Sequence, residues 1–385
     1  MAELRAFPSP SEHPRVMRRL RTEHRHWSAG RLGHDTKSPY ALLDEVRKVS
    51  AGALGGERVC QCSRFPTAQG VSLMRQGGRA WVRHVATCGS VWVCPVCSGR
   101  ILAARRDEIR EGLEAAQRRG WGSLLLTVTF RHGADEGLAD VLGDLVGIWG
   151  KVKAGGWWSK WRKRAGVVGD IAGLEVTYGY FGPHPHRHIV LIFDQQVSEP
   201  EREALEAELS ERMRSVAERA GRWVSREWGV KLTRGAATYI AKMGHEVAGS
   251  VKRGHSPFEL AEAAAGGDQG ALLLWREYLA AMRGKRRIVW SRGLRGLLGL
   301  GDELSDEAAA DREPEGEAAE VVAVLTKKQW EVVWARCAVG GVVAKALEGR
   351  EAVWGFLEGL GLKCDIENLR LEALARLGSW EVSDG

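Results

Sequence analysis

Gly182-Pro183-His184-Pro185-His186-Arg187-His188-Ile189-Val190-Leu191-Ile192-Phe193 is the stretch on which the reading of this chain turns. The apolar run that follows an alternating polar segment predicts a strand buried on both faces at its end. Side chains alternate between the two faces of a strand, so His184, His186 and His188 share one face. Imidazoles repeated on one face form a metal-ligand pattern. A single histidine would be read as incidental on a surface strand; three in alternation beside an apolar run favour the metal.

Working upstream, Ile171-Ala172-Gly173-Leu174-Glu175-Val176-Thr177 predicts a partner strand near 171–180. Glu175 points away from the faces of Leu174 and Val176. A hairpin turning near Gly182 places it roughly across from His188, where opposed residues lie about 5 Å apart. Two imidazoles and one carboxylate then converge, a set that holds a divalent cation and leaves positions open. A slip of one residue would turn Glu175 away.

Downstream, Arg234-Gly235-Ala236-Ala237-Thr238-Tyr239-Ile240-Ala241-Lys242-Met243 predicts a helix with Tyr239 and Lys242 on one face. A tyrosine hydroxyl becomes a useful nucleophile when a metal or base activates its target or its proton. A lysine one turn away offsets charge developing on a phosphate. Without the histidine strand, this would read as an ordinary helical tyrosine.

The cysteines form a second constellation: Cys60-Gln61-Cys62, then Cys88, then Cys94-Pro95-Val96-Cys97. Cys-x-x-Cys with proline between the thiols predicts a tight zinc knuckle. Cys88, Cys94 and Cys97 supply three ligands, and Cys60 or Cys62 the fourth, with His84 as a substitute. Cys337 and Cys364 follow no ligand pattern and read as core residues.

A third cluster is basic and aromatic: Lys151, Lys153, Trp157, Trp158, Lys160, Trp161, Arg162, Lys163 and Arg164. Its rings could stack on single-stranded bases while the charges track phosphates. Equally, the tryptophans could be the buried stripe of an amphipathic helix. Lys285, Arg286 and Arg287, with Arg292 and Arg295, form a second basic run open to the same two readings.

The whole chain has 385 residues, is 44% hydrophobic and 27% charged, and carries a net charge of +7. Such a composition describes a globular protein, and the positive balance favours an acidic partner, nucleic acid first. No apolar run is long enough to span a membrane and no signal segment opens the chain, so a cytoplasmic location is expected. Its seven cysteines then read as ligands or core residues rather than disulfides. Residues 1–57 read as a basic extension, 58–105 as a zinc-binding segment, 106–297 as the main core, and 321–385 as a small C-terminal domain. Between the last two, 298–320 reads as an acidic linker, in which Arg312 is the lone cation among nine acidic residues from Asp302 to Glu320. Helices are expected at 101–119, 137–153, 157–165 and 198–219, and a strand at 123–130.

Pro183-His184-Pro185-His186-Arg187-His188-Ile189-Val190-Leu191 resembles the metal-binding histidine motif of the HUH endonucleases. More closely, the chain resembles the rolling-circle replication initiator (Rep) proteins of actinobacterial plasmids. The strand Leu125-Leu126-Thr127-Val128-Thr129 is similar to their first motif, and Tyr239-x-x-Lys242 to their catalytic tyrosine motif. Trp275-Arg276-Glu277-Tyr278 and the run from Lys285 to Leu294 are also similar to that group. The likeness spans roughly residues 85–295, and the order of its motifs is more specific than any one of them.

The resemblance implies an α+β fold. It predicts an HUH-endonuclease core with a central antiparallel sheet of five strands flanked by helices, preceded by the Cys-rich zinc segment. The histidines would lie on a central strand and the tyrosine on a helix facing them. It implies a site-specific DNA nickase and strand transferase acting at a plasmid double-strand origin through a 5′-phosphotyrosine intermediate. His186, His188 and Glu175, with His184 as a further candidate, would hold Mg²⁺ or Mn²⁺. Zn²⁺ would be structural. Partners would be origin DNA, single-stranded at the nick, and the host helicase and polymerase, with no membrane. Lys160, Trp161, Arg162, Lys163, Arg164, Lys285, Arg286 and Arg287 are the DNA-contact candidates.

Two departures from the family stand out. Arg187 replaces a bulky apolar residue between the histidines. Gly235 occupies the place, four before the tyrosine, where related initiators can carry a terminating glutamate; Glu227 and Glu246 are the substitutes considered. Tyr178, Tyr180 and Tyr278 are the alternative nucleophiles. Other classes that share these features are an HUH transposase or relaxase, a non-catalytic zinc-dependent DNA-binding protein, and a metal-dependent phosphodiesterase.

Overall fold

The computed structural model describes residues 38–133, 135–179, 182–236, 255–312 and 319–376. They fall into two units, 103–303 and 38–102 with 304–376.

The first unit is built on a five-stranded antiparallel sheet. Its strands are β3 (Gly122–Val128), β4 (Val167–Gly179), β5 (Gly182–Phe193), β6 (Val230–Thr233) and β7 (Ile288–Trp290). The spatial order is β6-β3-β5-β4-β7, so the histidine strand β5 lies at the centre. One face of the sheet is apolar along its length: Leu124, Leu126 and Val128 of β3 join Ile189, Leu191 and Phe193 of β5 and Val230 and Leu232 of β6. Helices α3 (Leu138–Val152) and α5 (Glu199–Arg219) supply the other half of this core. In α3 the buried residues Leu138, Val141, Leu142, Leu145, Ile148, Trp149 and Val152 recur at helical spacing. Its N-cap residue Gly137 gives no side-chain bond; Leu138 N–H donates instead to Glu277, at 2.7 Å. Ser198 and Glu201 form a capping box at the start of α5.

β6 is an edge, and its exposed backbone is closed off by α5. Leu232 N–H donates to Glu206 at 2.7 Å, and its carbonyl accepts from Arg202 at 2.7 Å. Side-chain partners of this kind stop another strand from pairing there. β4 starts earlier than the apolar pattern suggested, at Val167. Its first residues carry an irregularity in the pairing between Val167 and Gly169. A side chain at Gly169 would lie 2.7 Å from Leu294 and 2.8 Å from Ser291, so glycine permits that close approach.

Two prolines lie inside the central strand, where an absent N–H normally breaks the ladder. The pairing explains them. Leu174 N–H donates to Arg287 and Tyr178 N–H to His255, both away from β5. Pro185 opposite Val176, and Pro183 opposite Tyr178, therefore turn their nitrogens away from β4 as well. On that side β3 has already ended, at Val128 opposite Arg187.

The second unit contains α1 (Pro39–Ser50), a three-stranded antiparallel sheet, and a helical C-terminal segment. The sheet has the order β2-β1-β8, from β1 (Gly70–Gln76), β2 (Arg79–Arg83) and β8 (Glu320–Thr326). β1 and β2 are joined by Gly77-Gly78, both at positive φ, the backbone that a two-residue hairpin turn requires. α10 (Lys327–Ala335), α11 (Val339–Glu348), α12 (Arg350–Gly359) and α13 (Ile366–Arg376) follow β8. Residues 321–385 were expected to form a domain of their own. In the described part, β8 instead pairs with β1, and its residues Val322, Ala323, Val324 and Leu325 are buried on both faces of the strand.

The segment read as an acidic linker is partly structured. α8 (Leu294–Leu298) enters it, and α9 (Asp306–Asp311), capped by Ser305, lies within it. Thr87 donates to Asp311 at 2.7 Å and Arg58 pairs with Glu307 at 2.9 Å. Residues 313–318 are outside the described part. Among the described residues no helix is long and apolar enough to cross a membrane.

Candidate metal and nucleic-acid site

The sheet face opposite the apolar core holds the histidines. Register places Lys231, Thr127, His188, Gly173 and Ile288 in one row across β6, β3, β5, β4 and β7. Toward one end lies the next row, with His186 opposite Glu175. Glu175 was expected across from His188; it is directly opposite His186 and reaches His188 on the diagonal. His188 Nε2 donates to Glu175 at 2.9 Å. A diagonal neighbour remains within reach of long side chains. The predicted face was right although the opposed partner was off by one step of two residues.

On its other side, His188 Nδ1 is hydrogen-bonded to the Thr127 hydroxyl at 3.1 Å. With Nε2–H donating to the carboxylate, Nδ1 accepts from that hydroxyl. A hydroxyl both donates and accepts. Thr127 can therefore also receive a proton from Nδ1 when Nε2 gives up its own to bind a cation, which is how outer partners fix the tautomer of a ligating imidazole. The rings of His186 and His188 are stacked, centroids 5.9 Å apart at 14°. His184 meets His186 edge-on at 4.2 Å.

Burial and neighbouring charges keep these groups in ligand form. Desolvation, then the charges of His186 and His132, pull His184 down to about 3. Desolvation also pulls His186 down to about 4, opposed by Glu175. Burial pushes Glu175 up, but the His188 hydrogen bond and the charges of His188, His186 and Arg287 prevail and hold it below the usual carboxylate range. Two neutral imidazoles beside an ionised carboxylate suit a hard or borderline divalent cation.

His132 was not singled out in the sequence. It follows β3, and its Nε2 is 2.7 Å from His184 Nδ1. The signal for it was slight: a lone histidine just beyond the strand that pairs with β5. Charge alone makes Arg287 a candidate for DNA contact. The structure puts its backbone against β4 and its charge near Glu175. Arg187 alternates to the face of Val128 and Leu174, away from the histidines.

Other candidates fare differently. Trp161 is 3% exposed and stacks with Trp157 and Trp158, so it packs α4 (Gly155–Ala165) into the core and offers no ring to a base. Arg162 donates to the Val167 and Val168 carbonyls, and Arg164 pairs with Glu208. Lys160, Lys163 and Lys285 are exposed. Arg286 pairs with Glu303 at 2.7 Å. Tyr178 and Tyr278 are buried against each other at 2% and 1% exposure, which removes them as nucleophiles. Burial also pushes Tyr278 up. Tyr239, Lys242, Tyr180 and Glu246 lie outside the described residues. The chain enters that stretch after Ala236 and returns at His255, bridged to Tyr178.

The cysteine cluster is closed. Cys62, Cys88, Cys94 and Cys97 are all buried, with their sulfurs within 4.8 Å of one another. The separations are 3.4 Å for Cys94–Cys62, 3.6 Å for Cys88–Cys97 and 3.7 Å for Cys62–Cys97. Four thiolates bound at about 2.3 Å to one tetrahedral ion lie about 3.8 Å apart. The group could therefore hold a metal such as zinc. Hydrogen bonds from the other three sulfurs draw Cys97 far down, while Cys88 and Cys94 are driven up. Cys97 N–H also donates to Cys94 Sγ at 3.4 Å, the turn expected of a knuckle.

The fourth cysteine of the group is Cys62, not Cys60. Its carbonyl accepts from Trp334, and that of Ser63 from Trp330, both on α10. Cys60 turns away to the Arg47 carbonyl, and His84 bonds to Ser72 at 3.3 Å. Among the described residues no other group brings three ligand atoms that close together; the histidine face is more open.

No family model and no solved structure matches the chain. Protein rep of Streptomyces lividans is 29% identical over 358 residues, covering 71% of this chain and 78% of that protein. The neomycin resistance protein of Streptomyces cyanogenus is 30% identical over 152 residues, covering 33% of this chain and 35% of that protein. The likeness to actinobacterial Rep proteins drawn from the motifs thus holds over most of the chain.

Proposed function

We propose that this chain, a relative of a Streptomyces Rep protein, is a plasmid replication initiator of the HUH endonuclease class. It nicks one strand of origin DNA and later rejoins it. The observation that carries this reading is the pairing of His188 with Glu175, beside His186, on the open half of the central strand. His186, His188 and Glu175 would hold a cation such as Mg²⁺ or Mn²⁺, which would supply positive charge to polarise the scissile phosphate. Thr127 orients His188 through Nδ1. Tyr239 attacks phosphorus through its hydroxyl oxygen, forming a 5′-phosphotyrosine bond as the bond to the 3′ oxygen breaks. The phenolic proton passes to solvent, the departing 3′ oxygen takes one up from solvent, and the resulting 3′-hydroxyl primes a polymerase. Lys242 offsets charge at the transition state. Because the phosphotyrosyl bond retains the energy of the cleaved bond, the 3′-hydroxyl can reverse the reaction without ATP. Host helicase and polymerase follow as partners, the cytoplasm as location, and the four-cysteine group as a structural zinc centre.

The test uses purified protein, Mn²⁺ and a single-stranded origin oligonucleotide. A covalent protein–DNA adduct is expected, and Tyr239→Phe should abolish it while thermal unfolding stays unchanged. An adduct that survives in Tyr239→Phe rejects this nucleophile. A metal-dependent cleavage with no adduct would instead favour a simple phosphodiesterase.

A further inference from the structure

Among the described residues, two tryptophans stand apart. Trp223 is 60% exposed and Trp228 67%, whereas the other rings are packed into cores or half-covered. Both lie on the loop Ala220–Gly229 between α5 and β6. Large apolar rings left in water on a loop mark contact surfaces more often than chance.

Their position in the fold gives them a purpose. β6 begins beside the end of β3, with Val128 opposite Val230. The same end of the sheet carries His184 and His186, which extend β5 past the last residue of β3. The loop is sewn to the segment after β3 by Thr129 N–H donating to Gly229 and Arg131 N–H donating to Trp223. The next residue along, His132, bonds to His184. The guanidinium of Arg131 lies 6.0 Å from the Trp223 ring centre. Arg219, Arg222 and Arg226 share the loop region with Glu227 as the neighbouring acid. Arg222 is engaged by Glu136 and Asp144 and packs over Phe130, which anchors the loop, while Arg131 and Arg226 are exposed.

We propose that Trp223 and Trp228, with Arg131, form a stacking platform for unpaired bases of single-stranded DNA next to the histidine face. The inference rests on the nuclease reading for its choice of partner. Exposed aromatic rings interleaved with arginine suit any base, since every base has a π-face and each phosphate a negative charge. A platform at this end of the sheet would hold the strand flanking the nick and keep it from reannealing. The basic cluster at 160–164, whose Trp161 is buried, leaves that task unfilled.

The experiment measures binding of the full chain to a labelled oligothymidylate, to a matched duplex and to an abasic oligonucleotide, all in EDTA so that no cleavage intervenes. Trp223→Ala and Trp228→Ala are each expected to weaken oligothymidylate binding about tenfold, within the range for losing one stacked base. Duplex and abasic binding should be unaffected, and Trp228→Phe should restore most of the loss. Unchanged oligothymidylate affinity in both alanine variants overturns the platform and leaves the rings to a protein partner. Equal losses on all three probes also overturn it, because charge rather than stacking would then explain the binding. Adduct formation is read separately. Ring-dependent single-strand binding without any adduct would reject the nuclease reading and leave the platform standing; an adduct with no ring dependence would do the reverse.

Discussion

The two ligand clusters of this protein are made of different kinds of closeness. The four cysteines are buried and their sulfurs lie within 4.8 Å of one another. The histidines are half-covered, stacked in a row, and tied to partners that could let go: a carboxylate, a hydroxyl and another histidine. A closed shell of four ligands leaves no place for a substrate, whereas an open set of two or three does. The closed cluster suits a structural role and the open one suits contact with a substrate.

Removing metal should separate them most sharply. Structural zinc contributes on the order of 10–16 kcal/mol in small zinc domains, as much as the whole stability of an ordinary domain, roughly 5–15 kcal/mol. Chelation is expected to unfold residues 38–102 with 304–376, seen as loss of protection in hydrogen exchange, and to leave the five-stranded unit protected. Cys62→Ala should reproduce this, while Cys60→Ala should retain one zinc per chain by metal analysis. If Cys60→Ala also loses zinc, the ligand set is wrong.

The open cluster should respond in the opposite sense. His188→Ala is expected to lower adduct formation by more than about a hundredfold, above the range for outer partners of a metal, with the melting temperature nearly unchanged. A large drop in stability instead would make His188 a structural residue. Thr127→Val should lower Mn²⁺ affinity by about 10–100-fold, as losing an outer partner does, measured by titration calorimetry. An unaltered affinity would show that Thr127 does not orient the imidazole.

The smallest effect belongs to His84, the histidine bonded to Ser72. Desolvation, helped by Arg83, pulls His84 down to about 4. Its pKa in the unfolded chain is about 6.5. The unfolded state then binds a proton that the folded state refuses, so stability is full above about 6.5 and falls as pH drops toward 4. Urea midpoints should show this decline in the wild type and a shallower one in His84→Gln. Parallel curves would remove His84 as the source.

What the sequence revealed follows the range of each interaction. Period-two alternation is local, and it put His184, His186 and His188 on one face and Glu175 on the same face of its neighbour. The opposed pair was not legible, because register depends on the turn and a hairpin near Gly182 leaves the count open by two residues. Cys94-Pro95-Val96-Cys97 was legible for the same local reason. The choice of Cys62 over Cys60 was not, since it depends on Trp330 and Trp334, more than 260 positions later by the bonds they make. Trp161 misled because a helix of lysines and tryptophans reads alike whether its rings face a core or a base. The exposed pair Trp223 and Trp228 lacks any periodic setting, so nothing in the sequence distinguishes it from the rings that are buried.

The pairing of β1 with β8 has a consequence for how the chain is made. A ribosome adds on the order of 5–20 residues each second, so the cysteine segment waits many seconds for its third strand and for the tryptophans that pin Cys62. The five-stranded unit, encoded in between, can finish first. A nascent chain stopped before Glu320 would carry a complete histidine face and an unfinished knuckle.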